Sequence, residues 1–154
     1  DLMVDGNGHV TMPNQSAFSV TSGTEQSNIA LATETTVVYG TEIFDQNSDF
    51  SSNTFTAPVT GKYMLGVRMR VDNLDKDATY FYVIIVTSNR SYYNLTTFSS
   101  LGSDQVYHYF QVTQLADMDA NDTAVVKFYQ PDGTQQADIH GAATAQGFWG
   151  YLVA

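Results

Sequence analysis

From residue 62 to 71 the chain alternates without a break. Tyr63, Leu65, Val67, Met69 and Val71 fall on one face of an extended segment, and Met64, Gly66, Arg68 and Arg70 on the other. An amphipathic helix needs its apolar residues three and four apart, and no stretch of this sequence sustains that spacing. Short runs of strand character recur instead, at 16–20, 36–45 (split at Gly40, a bulge or bend), 54–56, 79–87, 91–95, 106–112, 123–129 and 148–153. Turn-rich or polar segments separate them. A long loop with a short strand near 29–32 is expected over 21–35, an acidic turn over 115–122 and a long loop over 130–145. Many short strands between turns predict a sandwich or a barrel.

Two runs carry bulk on both sides. Residues 79–87 (TYFYVIIVT) are apolar on both faces, and in the closing strand Trp149 and Tyr151 oppose Phe148 and Leu152. An antiparallel sheet usually keeps one wet face, so two dry faces predict a second layer, a subunit interface, or both. Upstream of the alternating strand, Pro58 fixes φ and lacks an amide proton, so it ends or edges the 54–56 strand. Gly61 is expected to supply a backbone conformation that other residues resist.

The chain's 154 residues suit one domain with a buried core. Its net charge of −10 repels phosphate backbones and anionic membranes, and Arg68 with Arg70 is the only close basic pair. Nucleic acid and membrane insertion are therefore not expected, and no apolar run approaches the ~20 residues of a membrane span. With no cysteine, disulfides and thiolate zinc sites are excluded. The opening, with its Asp5-Gly6-Asn7-Gly8 turn chemistry between Met3-Val4 and His9-Val10-Thr11, reads as a hairpin or linker leading in from a longer protein.

Few residues suggest chemistry. The run 117–122 (DMDAND) begins like a calcium loop, but Asp122 stands where glycine is needed and Phe128 where glutamate is needed, which rules out an EF-hand. Asp117, Asp119 and Asp122 remain candidates for a surface calcium site, against the simpler reading of a solvated turn. Asp138 and His140 share one side of an extended segment, but no serine motif completes a triad. Loop polarity accounts for them, with ligand binding as the alternative. Arg68 and Arg70 point the same way and suit carboxylates of a neighbouring subunit or a ligand. His108 alternates with Val106 and Phe110, as a core or interface histidine does. Tyr92 and Tyr93 are adjacent, so one faces outward. Exposed aromatics of this kind offer sugars a platform, or serve an interface.

The tract 55–63 (FTAPVTGKY) closely resembles the central motif of C1q-like domains, the globular heads of the C1q and tumour-necrosis-factor superfamily. Ala17-Phe18-Ser19-Val20 resembles the opening strand of that family, and Phe148-Trp149-Gly150-Tyr151-Leu152 its closing F-x-G-F-L. Thr36-Val37-Val38 and Ile43-Phe44 fall where the family has paired V-x-F pieces, and 115–125 resembles its L-x-x-G-D-x-V turn with extra acids. Asp49 and Asn53 stand at the Asp and Gly of its Y-D-x-x-T-G-x-F, and asparagine is the next best residue for a left-handed position. The tract 8–15 (GHVTMPNQ) resembles the segment before C-terminal C1q-like heads of some phage virion proteins.

The resemblance implies an all-β jelly-roll sandwich of about ten strands, with 1–15 leading into a head at 16–154, assembled as a compact homotrimer. Core or trimer-interface roles fall to Phe18, Phe55, Tyr63, Tyr82, Ile84, His108, Phe110, Phe148, Trp149 and Tyr151, with His108 a possible pH-sensitive ring if it lies on the trimer axis. No cofactor is implied beyond calcium, which some of these heads hold through acids of a loop where this chain has only Asp104. The implied function is non-enzymatic: a virion-surface fibre head that binds a host cell-surface receptor or glycan. A purely structural trimerisation cap and an extracellular C1q-like domain of a cellular organism are the alternatives. A glycan hydrolase would need two carboxylates across a cleft.

Overall fold

The computed structural model describes residues 2–154, and no helix forms among them. A ribbon of β1 (Met3–Val4) and β2 (Val10–Thr11) stands apart, turned through Gly8 at φ 85°. The remaining strands are β3 (Ala17–Thr21), β4 (Thr35–Thr36), β5 (Thr41–Asp45), β6 (Phe50–Ser51), β7 (Thr54–Thr56), β8 (Gly61–Leu74), β9 (Phe81–Thr87), β10 (Ser91–Thr96), β11 (Gln105–Met118), β12 (Thr123–Tyr129), β13 (Asp138–Ile139) and β14 (Gln146–Leu152). They form two six-stranded antiparallel sheets. The first runs β11-β8-β14-β3-β5 with β13 beside β8, and the second β10-β9-β12-β7-β6 with β4 beside β12. The fold is the all-β jelly roll expected, with twelve strands in the sandwich in place of about ten, three of them only two residues long.

Alternation dictates the packing. Tyr63, Leu65, Val67, Met69 and Val71 of β8 are all buried between the sheets, opposite Phe81, Val83 and Ile85 of β9. Aromatic rings fill the middle: Phe18 stacks on Phe55 with centroids 4.6 Å apart, and Phe148 meets Phe18 edge-on at 5.0 Å. Such geometry adds to the area the rings bury. Phe110 and Phe128 continue the core along β11 and β12, at 6.0 Å. The connections between the longer strands of the sandwich lie at one of two ends. The termini share one end with loops 46–49, 57–60, 88–90 and 119–122, and the other end carries the long loops 22–34, 97–104 and 130–137.

Several sequence expectations change here. The strand expected to end at 112 continues to Met118, because Leu115, Ala116, Asp117 and Met118 pair with Met64, Tyr63, Lys62 and Gly61, and the acidic turn shrinks to 119–122. No strand forms at 29–32. Ile29 is buried as a loop anchor, its amide bonded to the Ala137 carbonyl at 2.9 Å. The run 36–45 does split before Thr41, where the chain passes from the second sheet to the first, and a bulge lies further on at Ile43, where the β3–β5 register skips a residue. Gly61 does not need a left-handed φ. A side chain there would collide with the Ala154 carbonyl and Leu152 Cδ1, each 2.6 Å from the missing Cβ, so it is close approach that requires glycine.

Candidate functional site

The outer face of the first sheet is built from alternate residues of three strands. Register brings Tyr109 opposite Arg70, Trp149 opposite Gly66 and Tyr151 opposite Met64. The Arg68 guanidinium lies 4.8 Å from the Tyr109 ring centroid and that of Arg70 4.6 Å from Tyr107. Cations over aromatic faces are held by the ring quadrupole. Trp149 lies flat over Gly66, whose missing side chain makes the room, and Tyr151 runs parallel to it at 6.4 Å and 13°. Tyr107 is 54% exposed and Tyr151 45%.

Arg70 finds its carboxylate within its own chain. Its Nε donates to Asp72 Oδ1 at 2.6 Å, and His140 Nδ1 meets Asp72 Oδ2 at 2.9 Å. The intersubunit partner expected for Arg70 is thus an internal one, whereas Arg68 makes no ion pair among the described residues.

The second sheet also carries an outer face of aromatics. Tyr82 stacks on Tyr129 at 4.8 Å and 14°, Tyr93 stands edge-on to Tyr82 at 5.1 Å, and Tyr80 lies 6.2 Å from Tyr82 and 6.1 Å from Tyr129. Glu34 closes the group, accepting Tyr82 Oη at 2.9 Å and Lys127 Nζ at 2.9 Å. Burial, then the bond to Glu34, pushes the Tyr82 phenol well up, and the bond to Lys127 holds Glu34 below the usual carboxylate range.

Ile84 sits under this layer at 1% exposure, between Tyr93 and Lys127 in register. Within the chain, Ile84 on the outward side of residues 79–87 is therefore already covered by neighbouring side chains, where the apolar character of the run had suggested a second layer, a subunit interface, or both.

The adjacent tyrosines separate as expected. Tyr93 points out at 56% exposure, while Tyr92 packs on the core and its phenol is pushed up by burial. Phe18, Phe55, Tyr63, Phe110 and Phe148 are core residues, and the Tyr63 hydroxyl donates to the Val59 carbonyl at 2.7 Å. His108 lies edge-on between Phe98 (5.2 Å) and Phe110 (4.9 Å), where burial pushes its imidazole pKa down.

The acids of 117–122 serve their turn, the simpler of the two readings. Asp117 receives Arg90 bidentately at 2.9 and 3.0 Å, which lowers its pKa to about 2. Asp122 Oδ2 accepts Asn89 Nδ2 at 2.9 Å and the Asp119 amide at 2.8 Å, so these acids close the turn. Asp104 lies at the other end, accepting the Lys76 amide at 3.0 Å. Among the described residues no group of three or more potential metal ligands comes together. Asp138 and His140 do not meet each other either. Asp138 accepts the Asn28 amide and Asn73 Nδ2, each at 2.6 Å, while His140 turns to Asp72.

Sequence reasoning singled out Tyr93, Tyr82, Trp149 and Tyr151 but missed Tyr80, Tyr129, Tyr107 and Tyr109, whose place beside them depends on strand register. It also missed Asp75, 1% exposed, whose Oδ2 accepts the Gln135 amide at 2.9 Å and the Thr134 hydroxyl at 3.1 Å. Two edge strands complete the picture. β10 and β11 end their sheets at the same side of the sandwich, and an open, polar groove of about 620 Å³ between Ser91–Leu95 and Gln111–Gln114 is bridged by Asn94 Nδ2 to the Gln111 carbonyl at 2.8 Å.

No known family profile matches the chain, and no curated protein matches it in sequence. Solved structures do match it. The globular domain of zebrafish complement 1qA aligns with a TM-score of 0.59 and 16% identity over 92% of this chain and 98% of that one. Murine APRIL, crystallised at pH 8.0, aligns with a TM-score of 0.67 and 10% identity over 91% of this chain and 100% of that one, and its pH 5.0 form with 0.61 and 9% over the same shares. At these identities the likeness is one of fold, and the fold is C1q/TNF-like.

Proposed function

We propose that this C1q/TNF-like jelly roll is a non-enzymatic recognition head that assembles as a homotrimer and binds a ligand on a cell surface, as the head of a phage virion fibre or similar appendage. The observation that carries the reading is the first sheet's outer face, where Tyr107 and Tyr151 stand open and Tyr109 and Trp149 lie half-buried beside two stacked guanidinium groups. A contiguous aromatic surface of this kind marks an association site, and aromatic residues and arginine are the types enriched in interfaces. The β10 and β11 edges beside it add unpaired strand edges, which isolated sheets do not leave long and bare without a partner.

Ligand contact falls to the long loops at the end away from the termini, since loops on a rigid scaffold carry specificity. The virion setting rests on the tract 8–15, which forms part of β2 and the approach to β3 at the opposite end. The head needs no metal in this reading.

Size-exclusion chromatography with light scattering tests assembly. A mass of three chains, unchanged by EDTA, is expected, and a monomer overturns the trimer. Loss of the trimer in EDTA overturns metal independence. Adherence of the labelled head to candidate host cells tests recognition, and a head that adheres to none contradicts it.

A further inference from the structure

We propose that the outer face of the second sheet is a saccharide platform that takes a neutral glycan. This rests on the recognition reading above and adds, to the loops which that reading gives to the ligand, a second contact surface whose ligand has a stated chemical class. The platform is flat and lies on regular strands: Tyr82 and Tyr129 in one row between Leu95 and Glu34, with Tyr93 and Lys127 flanking the buried Ile84 in the next. Cross-strand tyrosines stabilise a sheet by themselves, but that role does not require them to stay open. Here Tyr93 is 56% and Leu95 59% exposed, and none of the described residues covers them.

A sugar ring has an apolar C–H face and a rim of hydroxyl groups. The tyrosines meet the first, since aromatic rings bring large contact area with a polar handle. The second needs a few placed polar groups around an apolar floor. Glu34 and Lys127 supply an acceptor and a donor at the edge of the rings, their side chains 34% and 28% exposed.

Charge narrows the class. Glu34 and Lys127 neutralise each other at 2.9 Å, so the site offers no net charge to a charged sugar. The surrounding chain carries −10, which repels sulfated and sialylated glycans and nucleic acid alike. Among the described residues Glu34 is the one carboxylate bonded to these rings, and cleavage calls for a pair, so the platform is proposed to hold a glycan without cleaving it. The platform also lies on the opposite side of the sandwich from Arg68, Trp149 and Tyr151, so assembly through that face leaves it open.

Saturation-transfer NMR of the intact chain with maltotriose, cellotriose, chitotriose and lactose tests the proposal. Transfer to at least one is expected. Tyr93→Ala, Tyr129→Ala and Glu34→Gln should each weaken its binding at least about tenfold, the effect of losing one stacking or polar partner. Tyr93 is exposed enough for its variant to keep the wild-type circular dichroism spectrum, which separates lost binding from lost folding. Binding of none of the four sugars, binding indifferent to all three variants, or preference for a sialylated or sulfated form overturns the proposal. Cell adherence separates the two readings. If the head adheres but the tyrosine variants adhere equally, the platform fails and recognition stands. If it binds sugar yet adheres to no cell, recognition fails and the platform stands.

Discussion

At the residue scale the most demanding group is Asp75. Its carboxylate is buried and satisfied by the amides of Asp77 and Gln135, at 2.8 and 2.9 Å, and by the Thr134 amide and hydroxyl. It ties the middle of loop 130–137 to the end of β8. Gly133, at φ 117°, completes the clasp, because a Cβ there would lie 2.7 Å from Asp75 Oδ2. Asp75→Ala leaves buried amides without an acceptor and should cost about 1–3 kcal/mol, read from denaturant midpoints at constant slope. Burial alone would raise this carboxyl's pKa, but the amides of Asp77, Gln135 and Thr134 outweigh it and hold the pKa below the ordinary 3.8. A depressed folded pKa gives stability that is present above the unfolded value and lost as pH falls through the folded one. The wild type should therefore lose stability on acidification below about pH 3.8, and the alanine variant should lose less of it over the same range.

At the scale of the element, β9 shows how a strand with two dry faces is accommodated. Phe81, Val83 and Ile85 enter the core, while Ile84 is covered from outside by Tyr82, Tyr93 and Lys127. Ile84→Ala should cost about 2 kcal/mol, at the low end of the range for buried isoleucine because the overlying side chains can settle. The folded variant should keep wild-type mass in light scattering. Ile84→Asp buries an unpaired charge and should unfold the domain. Dissociation of a still-folded Ile84→Ala head would mean that a partner, and not Tyr93, covers the strand.

The same strand marks what the sequence could reveal. Its apolar character was legible, and so was the alternation of β8, because period two is written in the residue order itself. Asn53 was legible too: it adopts φ 64°, and its side chain accepts the Tyr39 amide at 2.8 Å, a role the glycine it replaces could not take. What covers Ile84 was not legible, since Tyr93 and Lys127 reach it only through the registers of β10 and β12. Neither was Asp75, whose partners lie about sixty residues away in a loop without periodicity. The extra length of β11 was hidden because Asp117 and Gln114 look like turn residues until they are placed beside β8 on a sheet with one solvent-facing side.

At the scale of the whole molecule, the proposed reading divides the work between the two outer faces: one is to associate, the other to stay open. The face proposed to associate lies on one flank of the sandwich and the neighbouring open edges of β10 and β11 on another, so a contact between them is head-to-tail. Head-to-tail contacts either close into a ring or grow without end. A closed trimer requires every copy to present both surfaces, so damage to one is enough to break the ring. Tyr151→Asp is the cleanest such change. Tyr151 is 45% exposed and stacks on Trp149 away from the core, so the domain should fold with a wild-type midpoint in its monomeric form. In the assembly the new carboxylate would be pressed into an aromatic contact, and a desolvated charge without a partner costs several kcal/mol at each of the three interfaces. Light scattering should then give a single-chain mass for a head that retains its circular dichroism spectrum. It should still bind the sugar identified for the second sheet, with an unaltered affinity per site but without the avidity of three linked platforms. A Tyr151→Asp head that remains a trimer would show that association runs through another surface.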